Sequence, residues 1–410
     1  MPGRRIRLTL VGVVIAVAVP PIAPGPAVAA PLPPAAARLA VPGCDDTGPP
    51  PKPVTAVPWA QKRYALERLA PLATGAQVTV AVIDSGVDDT HPQLRSRILS
   101  GRDYLDPGLD GTRDCVSHGT GVASIIAATS SRGVGFRGLA PQVKILPVRV
   151  SEQKVIEGKE SGRYVGVAKF AESIRWAVDN GADVINLSIV FYKDNALLKS
   201  AIEYALDKDV VVVGAAGNQN AEGNPTPYPT AYEGVIGVGS VDEAGQVSAF
   251  SQRGPWVDLV APGAKVLVAT PEQGHKEDNG TSFATPFVAG TAALIRQYWP
   301  DLNARQVAQR LVATTDPAPG TDRDAYGAGI LNPYRAVTET AAPARQPAAA
   351  GLPPRQIDPE EVARAERRSV TQERALWVAG LAGAVAVIAL LLAVVLPRGA
   401  RRRWRPAGPV

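Results

Sequence analysis

The sequence predicts an α/β protein with a mainly parallel sheet and helices on both of its faces, plus a C-terminal transmembrane helix. Three observations lead there. Runs of β-branched residues alternate with helical patterns through about 280 residues, 59–340. Several runs are apolar at consecutive positions, as strands covered on both faces are. Near the C-terminus, 375–396 is an uncharged apolar stretch of 22 residues; as a helix it would cover about 33 Å, enough for a bilayer core.

Residues 1–29 open on Arg4, Arg5 and Arg7, continue with a short apolar run and close on Ala27-Val28-Ala29. This is the pattern of a secretory signal peptide, and the run is short for a membrane span, which favours cleavage near Ala29 over an uncleaved anchor. The next segment, 30–58, holds nine Pro in 29 residues and must run extended. In the body of the chain, strands are expected at 78–83, 143–150, 184–190, 210–213 and 235–241. Helices are expected at 120–128, 167–180, 195–207, 282–299 and 304–313. Gly181 and Gly214 stand where an element must stop or turn. The charged, Gly-containing stretch 152–166 reads as a surface loop that borders a cleft or meets a partner. Residues 341–374 are Ala- and Pro-rich and then charged, as a spacer is. Beyond the apolar stretch, 397–410 carries five Arg and no acid, which puts this tail in the cytoplasm and the body of the chain outside.

The formal charge of +5 suggests a polyanion partner, but it resides at the two ends. Between 30 and 396 there are 35 basic and 38 acidic residues. No nucleic-acid-binding surface is therefore expected. Two cysteines exclude a disulfide-dense scaffold and a Cys-based zinc site. No dense Asp/Asn cluster marks a metal site, and neither metal nor cofactor is expected.

Ligands of parallel α/β sheets bind beyond the carboxyl ends of the strands, and three segments sit at such places. One is Ala81-Val82-Ile83-Asp84-Ser85-Gly86, a buried strand that ends in a carboxylate. Another is Ser117-His118-Gly119-Thr120-Gly121, where one of only three His opens a helix. The third is Asn279-Gly280-Thr281-Ser282-Phe283-Ala284-Thr285-Pro286, at the start of a long apolar helix whose first turn would accommodate Pro286. Taken singly, Asp84 could be a turn residue and Ser282 an N-cap. Together they supply a nucleophile, a base and an orienting carboxylate. A serine hydroxyl needs a base within hydrogen-bond reach, imidazole titrates near neutrality, and the carboxylate fixes its tautomer. The N–H at the helix start and the amide of Asn218, after the strand 210–213, are candidate donors to a developing oxyanion. The order Asp84, His118, Ser282 is that of subtilisin-type enzymes. No His follows Ser282, which argues against an α/β-hydrolase, and strand–helix alternation argues against an all-β protease.

On these blocks, residues 59–337 resemble the subtilisin family of serine proteases. The resemblance implies that Asp84 orients His118, that His118 is the general base, that Ser282 attacks and that Asn218 holds the oxyanion. In the family pattern His91, in Thr90-His91-Pro92, is structural; His275, in a polar loop, is expected to be solvated. The whole arrangement is similar to the mycosins, the membrane-anchored proteases of actinobacterial type VII secretion systems. That implies a secreted protein or peptide substrate, association with the secretion membrane complex and a single-pass location at the cell membrane. It also leaves open a purely structural role in that complex, with proteolysis dispensable.

The chain departs from the family pattern in two places. Ser188-Ile189-Val190 stands where the substrate-binding strand usually reads Ser-Leu-Gly, and the bulk of Val190 predicts a narrow peptide preference and weak activity on casein. Cleavage near Ala29 also leaves too few residues for the folding propeptide that many subtilisins carry. The extension 30–58 is expected to wrap on the catalytic domain without blocking Ser282, tied by a Cys44–Cys115 disulfide. Two free thiols are the alternative, which an oxidising compartment disfavours.

Overall fold

The computed structural model describes residues 44, 51–156 and 159–340, and no side chains between 154 and 161. All but Thr340 fall in the first of the two units into which the chain divides, Met1–Glu339 and Thr340–Val410. The expected signal peptide, most of the Pro-rich extension, the spacer, the transmembrane stretch 375–396 and the basic tail lie outside the described residues. Among the described residues no helix is long and apolar enough to cross a membrane.

Two short helices, α1 (Trp59–Tyr64) and α2 (Leu66–Leu69), lead into β1 (Thr79–Asp84). The chain continues through β2 (Arg102–Asp103), α3 (His118–Ala127), β3 (Lys144–Arg149), β4 (Lys154–Ile156), β5 (Lys159–Ser161), α4 (Val167–Asp179), β6 (Val184–Leu187), α5 (Ala196–Asp207), β7 (Val211–Ala215) and β8 (Ile236–Val241). After β9 (Leu259–Pro262), β10 (Val266–Ala269) and β11 (His275–Asp278) come α6 (Thr281–Tyr298), α7 (Ala304–Ala313), α8 (Arg323–Tyr326) and α9 (Pro333–Thr338).

Seven strands form one sheet in the order β2-β3-β1-β6-β7-β8-β9, with every neighbouring pair parallel. Side chains of a strand point alternately to its two faces, and β1 divides accordingly. Val80 and Val82 join a core with Val122 and Ile126 of α3 and Phe283 and Val288 of α6. Ala81 and Ile83 join the opposite core, with Phe170 and Ile174 of α4 and Leu198 and Ile202 of α5. This two-sided burial is why the strands read as unbroken apolar runs. Every residue of α6 from Thr281 to Ile295 is buried. Fully burying one Phe or Leu side chain contributes about 1.5–3 kcal/mol. That outweighs the roughly 0.7 kcal/mol span of helix propensity among ordinary residues, so packing rather than propensity sustains this helix.

Register positions the site. Asp84 pairs with Arg149, Ile83 with Leu187, and Leu187 with Gly214. The carboxyl ends of β1, β6 and β7 therefore lie side by side, and the loops that carry Asp84, Ser188 and Asn218 emerge along one edge.

Two expectations need correction. The stretch 152–166 is not simply a loop, since β4 and β5 pair antiparallel within it. Below them, Glu152 N–H donates to the Arg163 carbonyl (2.7 Å) and Val165 N–H to the Val150 carbonyl (2.9 Å). Glu152, at the foot of this hairpin, is anchored inward. Arg149, fully buried, donates to Asp103 (2.6 Å), to Asp106 (3.0 Å) and to Glu152. Pro286, in turn, is not in the first turn of its helix. The helix starts at Thr281, so Pro286 is its sixth residue, where a backbone N–H would ordinarily bond to the carbonyl of Ser282.

Candidate active site

Asp84 is the last residue of β1 and its side chain is 2% exposed. One carboxylate oxygen, Oδ1, accepts the N–H of Ser85 at 2.7 Å and contacts Nδ1 of His118 at 2.6 Å. The other, Oδ2, is buried and has no hydrogen-bond partner among the described residues. Because a carboxylate accepts, Nδ1 of His118 carries the proton and Nε2 is left as the acceptor of the neutral ring. The imidazole is 30% exposed and packs against the Phe283 ring, with centroids 5.0 Å apart.

His118 opens α3, and the residue that fixes this helix start is one the sequence reading missed. Ser117, at the cap position, has φ 65° and makes no capping bond with its side chain. Asp114 does that work from further upstream. Its Oδ1 accepts the N–H groups of Val116 (3.1 Å) and Ser117 (2.9 Å), and its Oδ2 accepts that of Thr120 (2.8 Å). Ser85 joins the two motifs, donating its hydroxyl to Asp114 Oδ1 at 2.9 Å and accepting the N–H of Gly119 at 2.8 Å. The usual cap signal places the side chain immediately before the helix; Asp114, four residues before His118, does not display it. Burial pushes the Asp114 carboxyl up, against the bonds from Thr120 and Ser85 that stabilise its charge.

For His118, burial acts to lower the imidazole pKa. Attraction by the Asp84 carboxylate and its hydrogen bond, with Asp278 and Asp114 adding to it, prevails and leaves the pKa raised above 6.5.

Ser282 is the second residue of α6 and 6% exposed. Its N–H is one of the first four of the helix, which have no intrahelical carbonyl, at the positive end of the helix dipole. Gly280 before it has φ 153°, and a Cβ there would stand 2.7 Å from Ser282 Oγ and 3.5 Å from Asn218 Nδ2. Any side chain would fill the space that these two polar atoms share. Asn218 is oriented by Thr281, whose N–H and hydroxyl both lie 2.9 Å from Asn218 Oδ1. With its oxygen engaged, the amide presents its N–H groups to the cleft. The loop beneath is held by fully buried Gln252, which donates its N–H to the Gly217 carbonyl at 3.0 Å and accepts the N–H of Gln219 at 3.2 Å.

Asp84, His118, Asn218 and Ser282 all line one cleft of about 800 Å³. Ser188, Ile189 and Val190 form part of its wall, as does Gln153 at the foot of the β4–β5 hairpin. The Ser188 hydroxyl is engaged by the protein itself, however. It donates to the Ser282 carbonyl at 3.1 Å and accepts from Asn186 Nδ2 at 3.0 Å.

The two remaining histidines lie outside this cleft. His91 is 2% exposed; its Nδ1 accepts the N–H of Gln93 at 3.2 Å, as a structural residue should. The expectation that His275 is solvated is wrong. It lies in β11 and is 5% exposed, with Nδ1 accepting the N–H of Val54 (3.3 Å) and Nε2 donating to Gln93 Oε1 (2.8 Å). Its polar sequence neighbours alternate with it across a strand, which a loop reading overlooks. Cys44 and Cys115 are joined in a disulfide, Cα atoms 5.0 Å apart, so the tie expected for the extension is present. The described end of the extension rests on the domain. The Val54 carbonyl accepts from Gly135 N–H at 2.9 Å, and the Val54 N–H donates to His275 Nδ1 at 3.3 Å.

Comparison with known proteins adds a family. Residues 75–329 match the Subtilase family. Mycosin-4 of Mycobacterium tuberculosis is 35% identical over 377 residues, covering 83% of this chain and 81% of its own. A thermophilic serine proteinase of Bacillus sp. is 39% identical over 259 residues, 63% of this chain, and the chain spans 61% of that relative's length. The crystal structure of MycP1 from the ESX-1 type VII secretion system superposes with a TM-score of 0.62 at 31% identity, covering 72% of this chain and 90% of that one.

Proposed function

The chain belongs to the subtilase family and is a mycosin-like serine endopeptidase, and from that premise we propose that Asp84, His118 and Ser282 are its catalytic triad. We propose further that it acts from the outer face of a membrane on proteins secreted by a type VII system. The observation that carries the first reading is the 2.6 Å contact between Asp84 and His118, opening on the cleft that Ser282, in the first turn of α6, also lines.

The chemistry follows from these positions. Ser282 Oγ attacks the scissile carbonyl carbon and gives its proton to Nε2 of His118. Asp84 holds Nδ1–H and stabilises the imidazolium. The new oxyanion is met by the N–H of Ser282 and an N–H of the Asn218 amide. As the C–N bond breaks, His118 returns the proton to the departing amine and an acyl-enzyme remains. Water, deprotonated by the same imidazole, attacks the ester and releases the acid and free Ser282.

The membrane and secretion parts of the reading are supported by the uncharged stretch 375–396, the Arg-rich tail and the likeness to a protein from a type VII secretion system. Val190 in the cleft wall, where relatives usually have Gly, supports a narrow choice of substrate. A serine-directed phosphonate should label the wild type and leave Ser282→Ala unlabelled; equal labelling of both would overturn the assignment. In cells, Ser282→Ala should abolish processing of the secreted substrate. If secretion persists in that variant but not after deletion of the whole chain, the protein also serves as a structural subunit.

A further inference from the structure

The first turn of α6 contains a gap that the protein fills from another strand. In an α-helix the carbonyl of residue i accepts the N–H of residue i+4. For Ser282 that partner is Pro286, which has no N–H and whose ring presses on the carbonyl four residues before it. The carbonyl of Ser282 is thus deprived of its helical donor.

The strand end beside it offers a replacement. Ser188 follows β6, and its hydroxyl oxygen lies 3.1 Å from the Ser282 carbonyl oxygen. A hydroxyl has one proton to place, and a neighbour decides where it points. That neighbour is Asn186, fully buried on β6, whose Nδ2 lies 3.0 Å from Ser188 Oγ. With an amide N–H directed at its lone pair, Ser188 turns its proton to Ser282. The opposite amide orientation would set Asn186 Oδ1 against Ser188 and draw that proton away. Asn186 Oδ1 is buried and has no hydrogen-bond partner among the described residues, so the bond to Ser188 is what its amide has to offer at the centre of the sheet.

We propose that Asn186 and Ser188 form a positioning relay for the nucleophile. Asn186 orients the Ser188 hydroxyl, and Ser188 supplies to the Ser282 carbonyl the bond that Pro286 forbids. Neither residue touches the reacting atoms. The relay sets the backbone of Ser282, and with it the direction of both Oγ and the oxyanion-binding N–H. It rests on the reading of Ser282 as nucleophile. It also gives Ser188 a side-chain role distinct from lining the cleft.

The test is a double-mutant cycle on Ser188→Ala and Pro286→Ala. Active sites are counted with the phosphonate, kcat and KM are measured on a short peptide, and thermal melting is followed for each variant. Ser188→Ala should lower kcat per active site about tenfold, the order expected for loss of one oriented hydrogen bond, with KM within about twofold. In the Pro286→Ala background residue 286 has an N–H to offer, and the same substitution should lower kcat less than about threefold. Equal losses in both backgrounds would overturn the relay. So would a loss confined to KM, which would mean a substrate contact, or a lower melting temperature with kcat unchanged. Should Pro286→Ala not fold, Asn186→Ala replaces it. Acting in series, it should lower kcat in the wild type and add little to Ser188→Ala; independent, multiplying losses would refute the proposal. Failure of the wild type to titrate with phosphonate would refute the nucleophile instead, so the two failures are separable.

Discussion

At the scale of single residues, the acid dependence of the site is set by more than the triad pair. As the proposed base the His118 ring must be neutral, and its pKa stands above 6.5 because, against burial, Asp84, with Asp278 and Asp114 adding to it, favours the imidazolium. Activity is therefore lost as pH falls through this raised pKa. The stability arising from the shift has the opposite sense: it is fully present below 6.5 and disappears as pH rises through the raised value. Asp278 lines the cleft, and its Oδ2 lies 3.1 Å from Lys276. Removing its charge should ease deprotonation of the ring. In Asp278→Asn the acid limb of kcat/KM should move to lower pH with the alkaline plateau retained. A limb that stays in place or moves upward in a pH–rate profile would contradict this assignment.

At the scale of elements, β11 links the N-terminal extension to α6. His275 accepts from Val54 and donates to Gln93, so it must stay neutral, and burial with repulsion from His91 holds its pKa down to about 4. A histidine with a depressed folded pKa contributes stability above its ordinary value of 6.5, lost as pH falls from 6.5 towards 4. Protonation would also remove the acceptor for Val54 N–H. Acidification through this window should lower the melting temperature and expose the Val54 amide to hydrogen exchange before the amides of α6. His275→Phe should be less stable at neutral pH and show a flatter decline, because the titration of His275 no longer contributes to it. A decline as steep as that of the wild type would locate the acid sensitivity elsewhere.

These elements also show what sequence could reveal. Strand β1 and helix α6 were legible because both are apolar over many positions and sit beside motif residues. The strand Leu259–Pro262 was not, because Asp258 and Gly263 bound a run too short for any periodicity to emerge. His275 looked solvated because its neighbours are charged, although one face of a two-stranded ribbon is enough to bury it. Asp84, His118 and Ser282 were legible through their flanking glycines. Asp114, Asn186 and Gln252 were not, since each acts on a group brought beside it only when the chain folds.

At the scale of the whole molecule, positive charge is held at the two ends while 30–396 is slightly acidic. All the elements that build the cleft lie between Trp59 and Thr338. If 375–396 anchors the chain, ending it after residue 340 should release a soluble enzyme with kcat/KM on a short peptide unchanged, whereas the full chain should sediment with membranes. A truncated form that still sediments would remove the anchor from 375–396. Processing of the natural secreted substrate should fall on release, because the tether, not the cleft, would hold enzyme and substrate together.

Ser282, the proposed nucleophile, stands at the mouth of a helix sealed through to Ile295. This start of the helix has no room to fray on its own, since Phe283 in its first turn, and Phe287 and Val288 in the next, are shared with β1 and α3. Heat inactivation and collapse of the protein's interior should accordingly be a single event, and decay of phosphonate reactivity on warming would serve as a thermometer for the entire domain.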